Sequence, residues 1–83
     1  MRDIIRGALD QHARLSVPAS TLDGGSDLHA AGLTSFATVQ LMLALEEKFE
    51  VEFPNRMLNR KSWASIQAIE SSLKELIQEG VAT

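Results

Sequence analysis

Apolar side chains recur at helical spacing in three stretches of this chain, and small or charged residues mark where each stretch stops. Ile5, Ala8, Leu9, His12 and Leu15 fall three and four apart, which predicts an amphipathic helix over about residues 2–14 with that stripe turned to a core, His12 at its border. Gly7 weakens the helix and Pro18 lies beyond its end. The strongest pattern is "SFATVQLMLALEEKFEV", about residues 35–51, rich in helix formers and free of glycine and proline. At about 100° per residue, Thr38, Leu41, Met42, Leu45 and Phe49 share one face, which is assigned to the core. The opposite face holds Phe36, Val39 and Leu43 and turns acidic at Glu46, Glu47 and Glu50. A last helix is expected over about residues 63–78, capped by Ser62, with Trp63, Ile66, Ile69, Leu73, Leu76 and Ile77 inward and Gly80 near its end.

The connections differ in character. Residues 16–33, "SVPASTLDGGSDLHAAGL", mix Pro18, Gly24, Gly25 and Gly32 with small polar residues. That is a long loop, and long ordered loops in small domains are usually functional. Leu22, Leu28 and Leu33 are its candidate anchors. After Pro54, "NRMLNRK" reads as a loop with one short helical turn, anchored by Met57 and Leu58. "FEVEF" alternates as a strand does, yet it continues the helical stripe and has no β-rich segment to pair with. The expectation is all-α.

Composition narrows what such a bundle can do. Eighty-three residues with 45% apolar content suit one domain spanning residues 1–83, close to the size at which a single core just suffices, with little room for a buried catalytic cavity. There is no cysteine, so thiol chemistry would need an imported sulfur. The N-terminal residues interleave charges with apolar positions, unlike a secretory signal or a membrane span, and a cytoplasmic monomer is the default. A net charge of −3 argues against generic nucleic-acid binding. The charges are unevenly spread: Glu46, Glu47, Glu50 and Glu52 accompany one Lys48, and then Arg56, Arg60 and Lys61 follow with no acid among them.

Most chemical constellations are missing. No motif places His12 or His29 beside a serine, as nucleophilic catalysis requires. His29 reads as an ordinary loop side chain. "DGGSD" has acidic flanks and leads into more loop, unlike a phosphate-binding turn, and neither histidine sits at metal-ligand spacing. "NRMLNRKS" is basic but lacks interleaved aromatics. What remains is "GLTSFATVQL", residues 32–41, where Thr34 and Ser35 stand at a helix start beside the apolar strip Phe36, Val39 and Leu43. The plain reading is a cap, with the helix buried on both sides. The functional reading makes Ser35 a surface hydroxyl where the dipole and free N–H groups favour a phosphate, and makes the strip a partner contact.

Gly32, Leu33, Thr34, Ser35 and Phe36, with Asp27-Leu28 upstream and "VQLMLALEEKFEVEFP" downstream, resemble the acyl and peptidyl carrier protein family, the likeness running from about Asp27 to Leu73. The resemblance implies a four-helix bundle of acyl-carrier type with a long first loop and a short third helix. It also implies 4'-phosphopantetheine on Ser35, transferred from coenzyme A by a phosphopantetheinyl transferase. The arm's thiol would hold an acyl or aminoacyl group as a thioester, and the chain would be a shuttle and no enzyme. Its partners would be a loading ligase and downstream acyl-using enzymes, recognising Thr34, Phe36, Val39, Leu43, Glu46, Glu47, Arg56 and Arg60. Fatty-acid carriers have Asp-Ser-Leu at the attachment site and acids in the following turns; here stand Thr34, Phe36, Ala37 and Gln40, with a basic third segment. That departure favours a specialised carrier, polyketide-like or aminoacyl, over the housekeeping fatty-acid one. The competing reading is a helical docking module without a prosthetic group, in which Ser35 is only a cap.

Overall fold

In the computed structural model, residues 1–78 are described; Gly80, expected near the end of the last helix, lies outside them. Three α-helices, α1 (Arg2–His12), α2 (Ser35–Phe49) and α3 (Ile66–Gln78), are joined by segments with short 3-10 turns at Ala19–Thr21, Asn55–Met57 and Lys61–Trp63. The described residues are helical or irregular and include no strand. "FEVEF" is no exception: α2 ends at Phe49, and Val51 and Phe53 are buried in the irregular chain beyond it.

The core is one cluster. Ile5, Ala8 and Leu9 of α1 meet Leu41 and Leu45 of α2 and Ile66, Ile69, Leu73 and Leu76 of α3. Just before the last helix Trp63 packs edge-on against Phe53, ring centroids 5.0 Å apart, and its indole N–H donates to the Met57 carbonyl at 2.9 Å. A buried indole needs such a partner.

Several expectations shift by part of a turn. In α2 the fully enclosed positions are Leu41 and Leu45, with Ala37 nearly so, while Thr38, Met42 and Phe49 are half-buried. The core line therefore follows every fourth residue and is rotated from the expected face toward Ala37. His12 is exposed instead of bordering the core, because the stripe of α1 ends with Leu9 and the helix stops at His12. Ile77 is 44% exposed, not inward: Leu76 takes the core position and its neighbour turns out. The last helix begins at Ile66, so Trp63 belongs to the 3-10 turn before it. Ser62 does not cap it; the Ser65 hydroxyl accepts from the Ala68 N–H at 3.0 Å.

The long first loop is ordered by bonds from both flanks. The Arg6 guanidinium donates to the Ala19 and Leu22 carbonyls, each at 2.6 Å, and the Asp10 carboxylate accepts from the Ala19 N–H. Farther on, the Leu28 N–H donates to the Ala64 carbonyl at 2.7 Å and the Gly24 carbonyl accepts from the Gln67 N–H at 2.8 Å. That last bond satisfies a free amide in the first turn of α3. Leu28 and Leu33 are buried and Leu22 half-buried, so all three expected anchors hold.

Candidate functional site

The loop delivers the chain to α2 through one constrained residue. Gly32 has φ +112, a conformation open to glycine and strained for other residues, and the Ser16 N–H donates to the adjacent Ala31 carbonyl at 2.9 Å. Thr34 follows in extended conformation as the N-cap, its hydroxyl accepting from the Ala37 N–H at 3.1 Å. Its carbonyl receives both the N–H and the hydroxyl of Thr38. The capping oxygen is thus Thr34's. Ser35, the next residue, is the first of the helix and is exposed, and its hydroxyl has no hydrogen bond among the described residues. The Ser35 and Phe36 amides likewise bond to no described residue.

Ser35 opens onto a groove of about 540 Å³ between α2 and the segment after Pro54. Val39, Met42, Leu58 and Trp63 supply its apolar wall; His29, Thr38, Asn59 and Arg60 supply polar groups. Arg60 alone of the lining residues carries a full charge, and the lining holds no acid. Leu58 does not anchor the segment, being 45% exposed on this groove while Met57 takes the core position.

His29 does more than an ordinary loop residue. Its ring nitrogens lie 3.1 Å from the Arg60 carbonyl and 3.4 Å from the Leu33 carbonyl, so it spans from the residue before Thr34 to the opposite rim. Nothing in sequence signals this, because its partner lies thirty-one residues away.

The remaining candidates divide. Phe36, Val39 and Leu43 are 75%, 49% and 55% exposed along one side of α2, as the wheel placed them. Glu47 is exposed beyond them and lines a second, smaller groove with Leu43, His12 and Lys48. Glu46 is half-buried and engaged internally, its carboxylate accepting from the Phe53 N–H at 2.8 Å. Arg56 pairs with Glu75 at 2.5 Å, whereas among the described residues no acid pairs with Arg60. No group of three or more His, Asp or Glu side chains among the described residues could hold a metal ion, and no described helix is long and apolar enough to cross a membrane.

An exposed hydroxyl at a helix start, making no hydrogen bond among the described residues, suits the attachment of a group. Residues 12–76 match the family defined by the phosphopantetheine attachment site. The chain belongs to that family: it is a non-catalytic carrier protein, and its prosthetic group is covalently attached 4'-phosphopantetheine. It is 52% identical over 80 residues to the aminoacyl carrier protein of Agrobacterium fabrum, covering 96% of this chain and 95% of that one. A carrier protein from Agrobacterium tumefaciens, crystallised with an engineered Bradyrhizobium japonicum glycine:carrier protein ligase and AMP, superposes with TM-score 0.86 at 53% identity, over 89% of this chain and 99% of that one. A solution structure of an Agrobacterium tumefaciens protein covers all of both chains with TM-score 0.79 at 48% identity.

The residues at the start of α2 fit the group. A phosphodiester on the Ser35 oxygen would meet unbonded amides and a positive helix end, beside a groove free of acid.

Proposed function

We propose that Ser35 carries the 4'-phosphopantetheine arm, transferred from coenzyme A by a phosphopantetheinyl transferase, and that the loaded group is an amino acid. One observation carries the attachment: Thr34 does the capping, which leaves the Ser35 hydroxyl exposed and uncommitted. The arm supplies the thiol this cysteine-free chain lacks and holds the acyl or aminoacyl group as a thioester. The chain's own residues position the arm and present a docking face. The aminoacyl cargo is supported by the relative's name and by the neighbour's complex with a glycine:carrier protein ligase; a specialised route in the cytoplasm follows from the same reading.

Phe36, Val39 and Leu43 form the apolar part of the docking face for the transferase, the ligase and downstream enzymes, since exposed aligned apolar side chains mark interaction sites. Thr34 borders it, and Glu47, Arg56 and Arg60 form a charged rim that selects partners and tunes association rate. Glu46 is better accounted for by its bond to Phe53. In the four-helix carrier arrangement, the two turns Asn55–Met57 and Lys61–Trp63 stand for the short third helix, within a single domain over residues 1–83.

The test is intact mass after incubation with coenzyme A and a broad-specificity phosphopantetheinyl transferase. The chain and its Thr34→Ala variant gain one phosphopantetheine increment; Ser35→Ala gains none. An unchanged mass with several transferases leaves a docking module whose serine is inert. Loading is then read as a second mass increment with ATP, an amino acid and a carrier-specific amino-acid ligase.

A further inference from the structure

The reading of Ser35 as the attachment point leaves one problem of charge. The phosphodiester brings a permanent negative charge to a chain that already carries −3, and the groove beside it is half apolar. We propose that Arg60 is the counter-charge for this phosphodiester: it holds the root of the arm over the groove when no partner is bound.

Four observations carry this. Arg60 and Ser35 line the same groove, and Arg60 brings its one full charge. No acid competes nearby: α2 has none in its first turn, the groove lining has none, and no acid among the described residues pairs with Arg60. Arg56 differs from Arg60 in just this respect, being paired with Glu75. Finally, the backbone of Arg60 is fixed. Its carbonyl meets the His29 ring at 3.1 Å and accepts from the Trp63 N–H at 3.3 Å, and Trp63 is buried. The cation is therefore carried on a rim whose backbone is hydrogen-bonded to both His29 and Trp63.

Guanidinium suits the task because its planar fork donates two parallel hydrogen bonds to one phosphate, whereas an ammonium acts as a point charge. A single bonded root also decides direction. With its phosphate drawn toward Arg60, the root of the arm would lie over the groove that Val39 and Leu58 also line. A partner must break that bond to extend the arm, so the contact is strong at low salt and weakens as salt screens it.

The experiment uses the full chain with the arm attached, and measures no activity. Wild type, Arg60→Ala, Arg60→Lys and Lys61→Ala are each converted with coenzyme A and a phosphopantetheinyl transferase, and intact mass confirms one increment. Phosphorus-31 NMR of the phosphodiester and melting temperature, with and without the arm, are then recorded from low to high sodium chloride. In wild type the arm raises the melting temperature by about 1–8 °C at low salt, the range of a partly exposed ion pair in a domain of this size, and the gain fades with salt. Arg60→Ala loses the gain and moves the phosphorus resonance; Arg60→Lys keeps part of each; Lys61→Ala matches wild type. Equal resonances and equal gains in wild type and Arg60→Ala overturn the role of Arg60 while leaving the attachment intact. A missing mass increment in wild type overturns the attachment, and this inference with it.

Discussion

The two long sides of α2 are built from the same kinds of residue and do opposite things. Ala37, Leu41 and Leu45 lie against α1 and the core, and the last two have no exposure. Phe36, Val39 and Leu43, each one or two residues away from a buried neighbour, face outward at 75%, 49% and 55% exposure. Hydrophobicity alone does not separate the two sets. Phase does, and phase is set by the cap at Thr34, by the packing of α1 against α2, and by the left-handed residue Glu50 that ends the helix. An apolar residue on the inner side supports the fold; one on the outer side is a cost in water that only a partner recovers.

The inner side of α2 depends most on Leu41. Leu41→Ala removes a fully enclosed side chain and should destabilise the domain by about 2–5 kcal/mol, read from the urea midpoint; a change under about 1 kcal/mol would mean that the inner side is not the core. The outer side should respond in the reverse manner. Phe36→Ser or Leu43→Ser should alter unfolding free energy by no more than about 0.5 kcal/mol, as exposed substitutions do. Each should still reduce ligase-dependent loading by roughly tenfold, the size of one useful interface anchor at about 1.4 kcal/mol. If either serine variant unfolds the domain, the outer side is structural; if loading stays normal, partners dock elsewhere.

This division also shows what the chain discloses before folding. Helix positions were legible because a period of 3.6 survives single errors: α1 and α2 begin where expected, and Leu41, Leu45, Ile66, Ile69, Leu73 and Leu76 are buried as their spacing requires. The outer strip was legible for the same reason. The edges of each face were not. Thr38 and Met42 sit at the boundary because the buried line runs through Ala37, Leu41 and Leu45, and helical spacing alone does not fix where a face ends. Ile77 follows the core residue Leu76, and apolarity cannot say which of two adjacent residues turns in. The link between His29 and Arg60 escaped for a different reason: it joins two loops across the groove, and only the packed chain brings them together.

A smaller effect separates the two hydroxyls at the start of this helix. Thr34 supplies the cap, so Thr34→Ala should cost about 1 kcal/mol and leave the phosphopantetheine increment in place. Ser35→Ala should cost little stability, because its hydroxyl makes no hydrogen bond among the described residues, and should abolish the increment. Paired melting curves and intact masses of the two variants read both quantities. Loss of the increment in Thr34→Ala with Ser35→Ala still modified would exchange their roles.

The smallest effect lies where both sides of α2 end. Glu50 has φ 54 and ψ 47, its N–H donating to the Glu46 carbonyl, and the Val51 N–H donates to that carbonyl as well. This is the left-handed turn that usually falls to glycine. A side chain in that conformation costs about 1–2 kcal/mol, and glycine loosens the unfolded chain by about 0.4–1 kcal/mol; Glu50→Gly should therefore gain about 0.5 kcal/mol net. Removing an acid from the negative end of the helix acts in the same direction. Arg14, also left-handed at φ 48 and just beyond the end of α1, makes the control, since its charge suits a helix C-terminus and Arg14→Gly forfeits that contribution. The gain should thus be larger at Glu50 than at Arg14 and should shrink in high salt, with loading unchanged in both. Destabilisation by Glu50→Gly would mean that the carboxylate, and not the backbone alone, holds the end of the helix that presents the docking strip.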